Sequence, residues 1–392
     1  MVKDKHMYLG LFVIACLSFS VFYYTFYFQV WQPSNSHWVS DIPTHASAIE
    51  EFSKNGNFPI YSLWYRLVNI TSGFSVNSKI IAYTSIYLLI FFMCLKYIIT
   101  YSLLKSEHVK IALTFLIAIS LNIAMPIISF YKNPVTANQL FLNNFHVYLG
   151  NISPNQWHNS TLIFAMPFNL LLFYFSVKHI HSNQLRDFWI MSILSIISIL
   201  CKPNYALVFL PIFCSYLLLL NYKEKKLLLG IVKTALIALP SIILLLLQWY
   251  FTFKHNNTEL SPVKTIFAPF IVWGTYSPHI FISLILSIAF PLTTVSFYFK
   301  KMDSYWLISW LVFIFSLIIF SLLAEYPAYA AGNYGWGAIA ANYILFLFSM
   351  RVLLVQPFNW KSKIAFTVFG LHVLSGLFSL SYFFVYQTAL IL

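Results

Sequence analysis

The sequence predicts an all-α, polytopic membrane protein with about eleven transmembrane helices and a juxtamembrane helix in its first long loop. Three observations carry this reading. The 392 residues are 60% hydrophobic and 20% aromatic but only 8% charged, with a mean hydropathy of +0.77. A soluble domain carries roughly 25% charged residues. Apolar runs of about 17–25 residues, the length that crosses a bilayer as a helix, recur along the chain. Lysine and arginine concentrate in alternate loops, as cytoplasmic loops require.

In chain order the expected spans are 7–30, 80–104, 110–130, 160–177, 187–201, 204–221, 227–250, 279–298, 304–324, 337–355 and 364–388. The first, "MYLGLFVIACLSFSVFYYTFYFQV", follows a basic start and lacks a small-residue cleavage site. It reads as an uncleaved helix. Only "CKPN" (201–204) separates the fifth run from the sixth, which predicts a very tight hairpin. No internal repeat or low-complexity linker divides the chain, so residues 1–392 form one integral-membrane domain. Cys16, Cys94, Cys201 and Cys214 fall in or beside apolar runs and form no CxxC pair. They read as small embedded hydrophobes.

Placing the N-terminus in the cytoplasm puts fourteen basic residues in inner segments and seven in outer ones. The inner segments are also the shorter. The net charge of +13 is therefore a topology signal, and it excludes a nucleic-acid footprint. The non-membrane mass lies outside, in loops 31–79, 131–159, 251–278 and 325–336. These carry the acids Asp41, Glu50, Glu51, Glu259 and Glu325. Lys96 stands well inside an apolar run, and inward snorkelling accounts for it at this level.

Four stretches have chemistry to offer. In "SDIPTHASAIEEF" (40–52), Ser40 or Asp41 can cap a helix that Pro43 helps to start. Asp41, His45, Ile49 and Phe52 then share one face. Ile49 and Phe52 would lay it on the membrane surface, with Asp41 as a general base or metal ligand at the boundary and His45 beside it. The bland alternative is a capped, solvated surface helix. "NISPNQWHNSTLIF" (151–164) crowds polar side chains before a span. His158 and Asn159 can bind hydroxyls while Trp157 offers a flat apolar face, a set suited to a sugar. The alternative is an interfacial Trp with an Asn cap. Lys202 in the tight hairpin either snorkels or meets a lipid phosphate as a point charge. "EYPAYAAGNYGWG" (325–337) brings Glu325 as a second site acid, with Asn333 and Trp336 on a glycine-rich turn. It reads otherwise as an irregular aromatic turn.

Phosphate-loop, HExxH and GxSxG patterns are absent, and no span carries a row of acids as a proton-driven pump would. No metal ligand set emerges. The N-x-[ST] sites at Asn69, Asn151, Asn159 and Asn256 match chance expectation in so Asn-rich a chain, and no glycosylation is inferred.

This layout resembles the GT-C superfamily of polytopic glycosyltransferases, through a first span followed by a long outer loop with an early Asp and a juxtamembrane helix. The match is architectural over most of the chain and falls at motif level on Asp41 within "SDIPTHASAIEEF". The resemblance implies an enzyme of bacterial surface-polysaccharide synthesis in the cytoplasmic membrane, with its active site outside. Its partners would be a polyprenyl-(pyro)phosphate-linked sugar donor, a glycan acceptor and membrane lipid. Asp41 would be the base, oriented by His45 or Glu325, and Lys202 would hold the phosphate. Trp157, His158, Asn159, Asn333 and Trp336 would bind substrate. No cofactor is required: the first loop lacks the DxD or DE pair of the metal-dependent oligosaccharyltransferase branch. The chain is also similar to O-antigen polymerases in length and Phe/Ile-rich composition, though their large outer loop comes later. A flippase of lipid-linked sugars is a third reading, and it needs a central polar path that the spans lack.

Overall fold

The computed structural model describes residues 4–31, 40–56, 58, 62–105, 111–128, 130–132, 140–142, 150–251, 264–277, 279–329 and 332–386. Asn256 and Glu259 lie outside them. The chain is a helical bundle. In order it runs α1 (Lys5–Trp31), α2 (Ile42–Asn55), α3 (Leu63–Thr71), α4 (Ser78–Leu104), α5 (Ile111–Ile123), α6 (Ser160–Ser182), α7 (Leu185–Cys201), α8 (Asn204–Lys223) and α9 (Leu227–Tyr250). Then come α10 (Ile271–Tyr276), α11 (Ile280–Tyr298), α12 (Ser304–Leu322), α13 (Gly335–Leu354) and α14 (Trp360–Tyr386). Two small antiparallel ladders decorate the loops. One pairs β1 (Phe130–Lys132) with β2 (Leu140–Leu142), and the other pairs β3 (Lys264–Phe267) with β4 (Leu323–Tyr326).

Among the described residues nine helices are long and apolar enough to cross a membrane: α1, α4, α6, α8, α9, α11, α12, α13 and α14. The chain is thus a multi-pass membrane protein. Two expected spans give helices too short to be among the nine. The run 110–130 gives a helix of 13 residues and the run 187–201 one of 17. At 1.5 Å per residue, α5 reaches only about 20 Å, and an extended segment, 124–128, continues from its end.

The shortness of α5 has a structural cause. The segment 150–159 descends into the bundle above it and supplies the hydrogen bonds its last turn lacks. Asn155 Nδ2 donates to Leu121 O at 2.7 Å and to Ala124 O at 2.8 Å. Irregular backbone inside an apolar bundle persists only where protein groups satisfy it. That condition is met at several points. Ile152 N–H donates to Ser287 Oγ at 2.9 Å, and Asn342 Nδ2 donates to Ile152 O at 2.6 Å. Trp273 Nε1 donates to Gly150 O at 2.8 Å, and Ser283 Oγ also donates to that carbonyl. His372 serves the neighbouring segment 124–128 with its Nδ1 2.7 Å from Met125 O. Its Nε2 takes the Phe290 N–H that the break of α11 at Ile288 frees, at 3.3 Å. Gly376 of α14 lets that helix touch the Ile123 carbonyl, where a Cβ would collide.

At the centre stands α13, buried at every position from Gly335 to Met350. By contrast α9 is mostly exposed and faces outward, although it is the most apolar of the nine. The expected surface helix is α2, but its apolar face does not lie on lipid. Ile42, Ala46 and Ile49 are fully buried against the bundle, mainly against α4, and Phe52 packs on Phe58 and Tyr65.

Candidate functional site

The site forms where the N-termini of α2, α6, α8 and α13 meet. At α2 the helix start is capped by Ser40: its Oγ accepts the Ile42 N–H at 3.1 Å. Asp41 occupies the cap position yet makes no side-chain cap, so its carboxylate is released to point elsewhere. Its backbone N–H donates to His158 O at 3.0 Å, which ties α2 to the end of the re-entrant segment.

Asn159 is the hub. As N-cap of α6, its Oδ1 accepts the Leu162 N–H at 3.0 Å. The same oxygen accepts from Thr161 Oγ1 and from Lys202 Nζ, each at 2.9 Å. Its Nδ2 donates to Asp41 Oδ2 at 2.6 Å. One buried amide therefore stands between the carboxylate and the ammonium. Lys202 Nζ also donates to Thr161 Oγ1 at 2.9 Å and lies 5.0 Å from the centroid of the Trp336 ring. That indole packs on His158, with ring centroids 5.5 Å apart. Gly337 follows Trp336 and lets the first turn of α13 abut the hairpin: a Cβ there would stand 2.9 Å from Asn204 O.

His45, one turn along α2, has Nε2 3.9 Å from Asp41 Oδ2, and Tyr65 Oη lies 2.7 Å from its Nδ1. Burial and then the nearby Lys202 charge push the His45 imidazolium down to about 4, so the ring is neutral at pH 7. Burial also raises the Asp41 carboxyl above the usual carboxylate range, against the opposing pull of Lys202 and of the Asn159 hydrogen bond. For Lys202, burial outweighs the attraction of Asp41 and brings the ammonium down to about 8. A carboxylate made more basic and an ammonium made more acidic face one buried amide.

The structure thus brings together Asp41, His45, His158, Asn159, Lys202 and Trp336, drawn from stretches far apart in sequence. It does not bring in the others directly. Glu325 lies on β4, and its Oε2 accepts from Asn333 Nδ2 at 2.7 Å. Asn333 Oδ1 in turn accepts from Trp336 Nε1 at 3.3 Å. No contact joins Glu325 to Asp41 or His45 among the described residues. Trp157 offers no open face for a sugar. Its indole is 7% exposed and packs against Phe22 of α1, with Nε1 unpartnered. Much of the polar set 151–160 likewise turns inward to serve the fold. Asn69, Asn151 and Asn159 are all buried. Among the described residues no group of three or more His, Cys, Asp or Glu could hold a metal ion.

One correction concerns a lysine. Lys96 does not snorkel. It is 4% exposed, donates to Asn155 Oδ1 at 2.6 Å and sits 3.7 Å from the centroid of the Tyr343 ring. A charge inside an apolar run was the available signal. Tyr65 carries no local signal at all, because its partner His45 lies on another helix. Thr161 was visible only as part of the α6 cap.

No protein-family model matches the chain, and a search of curated proteins returns no match. The reading of this site rests on its own geometry.

Proposed function

We propose that this protein is a membrane glycosyltransferase that moves a sugar from a polyprenyl-(pyro)phosphate donor to a glycan acceptor at the non-cytoplasmic face. The observation that carries the reading is the half-buried Asp41–Asn159–Lys202 constellation at the meeting point of four helix N-termini. Such ends favour anions through their helix dipoles, and the C-terminus of α7, which Lys202 caps, opposes them in part. With Lys202 they make a surface suited to a phosphate. Asp41, more basic through burial, suits the opposite task of taking a proton from an acceptor hydroxyl.

The reaction balances simply. Asp41 accepts the hydroxyl proton as that oxygen bonds to the anomeric carbon of the sugar. The bond from that carbon to the phosphate oxygen breaks, and the electron pair leaves with the phosphate. Lys202, still protonated, offsets the charge that develops there. Asn159 keeps the two groups apart, so that they do not neutralise one another as a direct ion pair. Neutral His45, held by Tyr65, stands 3.9 Å from Asp41 without a hydrogen bond to it. An apolar groove of about 310 Å³ between α8 and α12, lined by Leu207, Pro211, Tyr216, Leu311 and Phe315, starts one turn beyond the hairpin and suits the lipid tail.

The deciding experiment is transfer from a panel of polyprenyl-linked sugars by the purified protein. Asp41→Asn keeps the size of the side chain, and a general base contributes about 10²–10⁴-fold. Transfer is expected to fall by at least the lower figure. Glu50 is committed to Lys54 at 2.6 Å, and Glu51 is exposed. Glu50→Gln and Glu51→Gln should change the rate only a few-fold. Near-normal transfer by Asp41→Asn beside a dead Glu50 or Glu51 variant would mean the wrong carboxylate has been chosen. Joining of whole lipid-linked oligosaccharides would make the enzyme a repeat-unit polymerase. Donor translocation without a new bond would make it a flippase.

A further inference from the structure

One charged side chain takes no part in this chemistry. Lys96 lies about five turns into α4, inside a membrane-crossing helix, and no carboxylate comes within ion-pair reach of it among the described residues. Burying an ammonium without a counter-charge costs several kcal/mol in general. A leucine would fill the same space without that cost, so the amine has to do something a leucine cannot.

Its contacts show what that is. The ammonium rests on the face of Tyr343, the central helix α13, and its hydrogen bond goes to Asn155 Oδ1. The hydrogen bond ties the amine to Asn155 and the ring face seats it beside α13. Asn155 turns its other end to the last carbonyls of α5. Its neighbour Gln156 donates from Nε2 to Asn159 O at 3.3 Å. Asn159 then carries Asp41 and Lys202 on its side chain. A small cavity beside these links is lined by Lys96, Asn155, Gln156, Met93 and Met166. Gln156 Oε1 is buried there with no hydrogen-bond partner. The segment is also held at residues 150–152 by Ser283, Ser287 and Asn342, and at its other end by the Asp41 N–H on His158 O and by the α6 cap at Asn159. Between these ends Lys96 grips it at Asn155.

We propose that Lys96 is a positioning residue: by holding Asn155 at depth it fixes the height of the 155–159 segment, and so keeps Asn159 between Asp41 and Lys202. The proposal takes the Asp41–Asn159–Lys202 cluster as the working site, but its first test needs no turnover.

That test is the titration of Lys202, read by NMR of lysine labelled with ¹³C at Cε, with the resonance assigned by its loss in Lys202→Arg. The titratable groups facing Lys202 are Asp41 and His45 of α2. Burial is the largest cause of its low midpoint, near 8 in the wild type. In Lys96→Met the segment loosens and water reaches Lys202, so the midpoint should rise by about half a unit or more toward the ordinary lysine value. Gln156→Leu should move it the same way. That variant cuts the link to Asn159 and also removes an unpartnered buried acceptor, which offsets part of the lost hydrogen bond, so it serves where Lys96→Met fails to fold. The second test is kinetic. Lys96→Met should lower kcat about tenfold with KM little changed, as misplacement of a catalytic group does. Added to Asn159→Ala, it should cost less than about twofold more, because residues acting through one another are not additive. A Lys202 midpoint unchanged in the folded variants overturns the proposal, as does a full multiplicative loss in the double variant. A wild type with no transfer activity at all would refute the transferase reading while leaving the NMR result to decide the role of Lys96.

Discussion

Asp41 and Lys202 depart from ordinary titration in opposite directions, both chiefly because they are buried. The consequence is a pH profile with a definite sign. Lys202 must be protonated to meet a phosphate, so transfer should fall as pH rises through about 8. Lys202→Arg keeps its charge at every accessible pH, and should abolish that alkaline limb while lowering the plateau through altered geometry. Lys202→Met should be slow at all pH values. Stability runs the other way. The folded-state value of Lys202 lies below the unfolded one, so the buried charge is a cost that is relieved as pH rises through about 8 toward 10.5. Lys202→Met should therefore melt at a higher temperature than the wild type at pH 7, and the two should converge at alkaline pH. Activity lost with stability gained is the pattern of a functional side chain. A rate that is flat across pH 7–9.5 in the wild type would refute the role of the ammonium.

At the scale of elements, the site depends on two close approaches of backbone to backbone. Gly337 admits the first turn of α13 against Asn204, and Gly376 admits α14 against the end of α5. Neither glycine needs an unusual backbone angle; what matters is the missing Cβ. In Gly337→Ala the new methyl meets a carbonyl that cannot rotate away, so the helix has to shift. Overpacking of this kind costs about 1–3 kcal/mol. The prediction is a lower melting temperature in detergent together with weakened donor use, since Trp336 moves with the turn. Gly376→Ala meets the Ile123 carbonyl more closely still. It should destabilise more. The end of α5 that it displaces holds Asn155 through the Leu121 and Ala124 carbonyls, so the Lys202 midpoint should move in this variant too. A midpoint that stays in place in Gly376→Ala would show that the end of α5 is not coupled to the site.

Over the whole molecule, the distribution of lysine and arginine predicts an orientation that labelling can check. Single cysteines at Glu51, near the site, and at Lys223, at the far end of α8, are both exposed positions. A membrane-impermeant thiol reagent added outside intact cells should reach Glu51→Cys and not Lys223→Cys, in a background with Cys16 replaced. The reverse pattern would place the site in the cytoplasm. It would remove the acceptor side on which the proposed reaction depends.

Much was legible before the structure. Low charge and long apolar runs determine a multi-pass helical protein, because a bilayer admits little else. Asp41, Asn159, Lys202 and Trp336 were each legible as polar or aromatic side chains at the ends of apolar runs, where such groups are costly and so informative. Their assembly was not legible. No sequence period links residues 41, 159, 202 and 336, and only the packing of four helix ends around one amide joins them. Burial was equally hidden. In a bilayer a lipid-facing and a protein-facing position are both apolar, so α9 and α13 read alike although one is outermost and the other is the core. The same ambiguity turned α2 inward and concealed the grip of Lys96 on Asn155. Along the chain, the sequence determined where the protein is oily and where it is polar. Which polar groups meet was decided by the tertiary structure, because hydrogen bonds inside an apolar bundle must close on whatever the packing brings within reach.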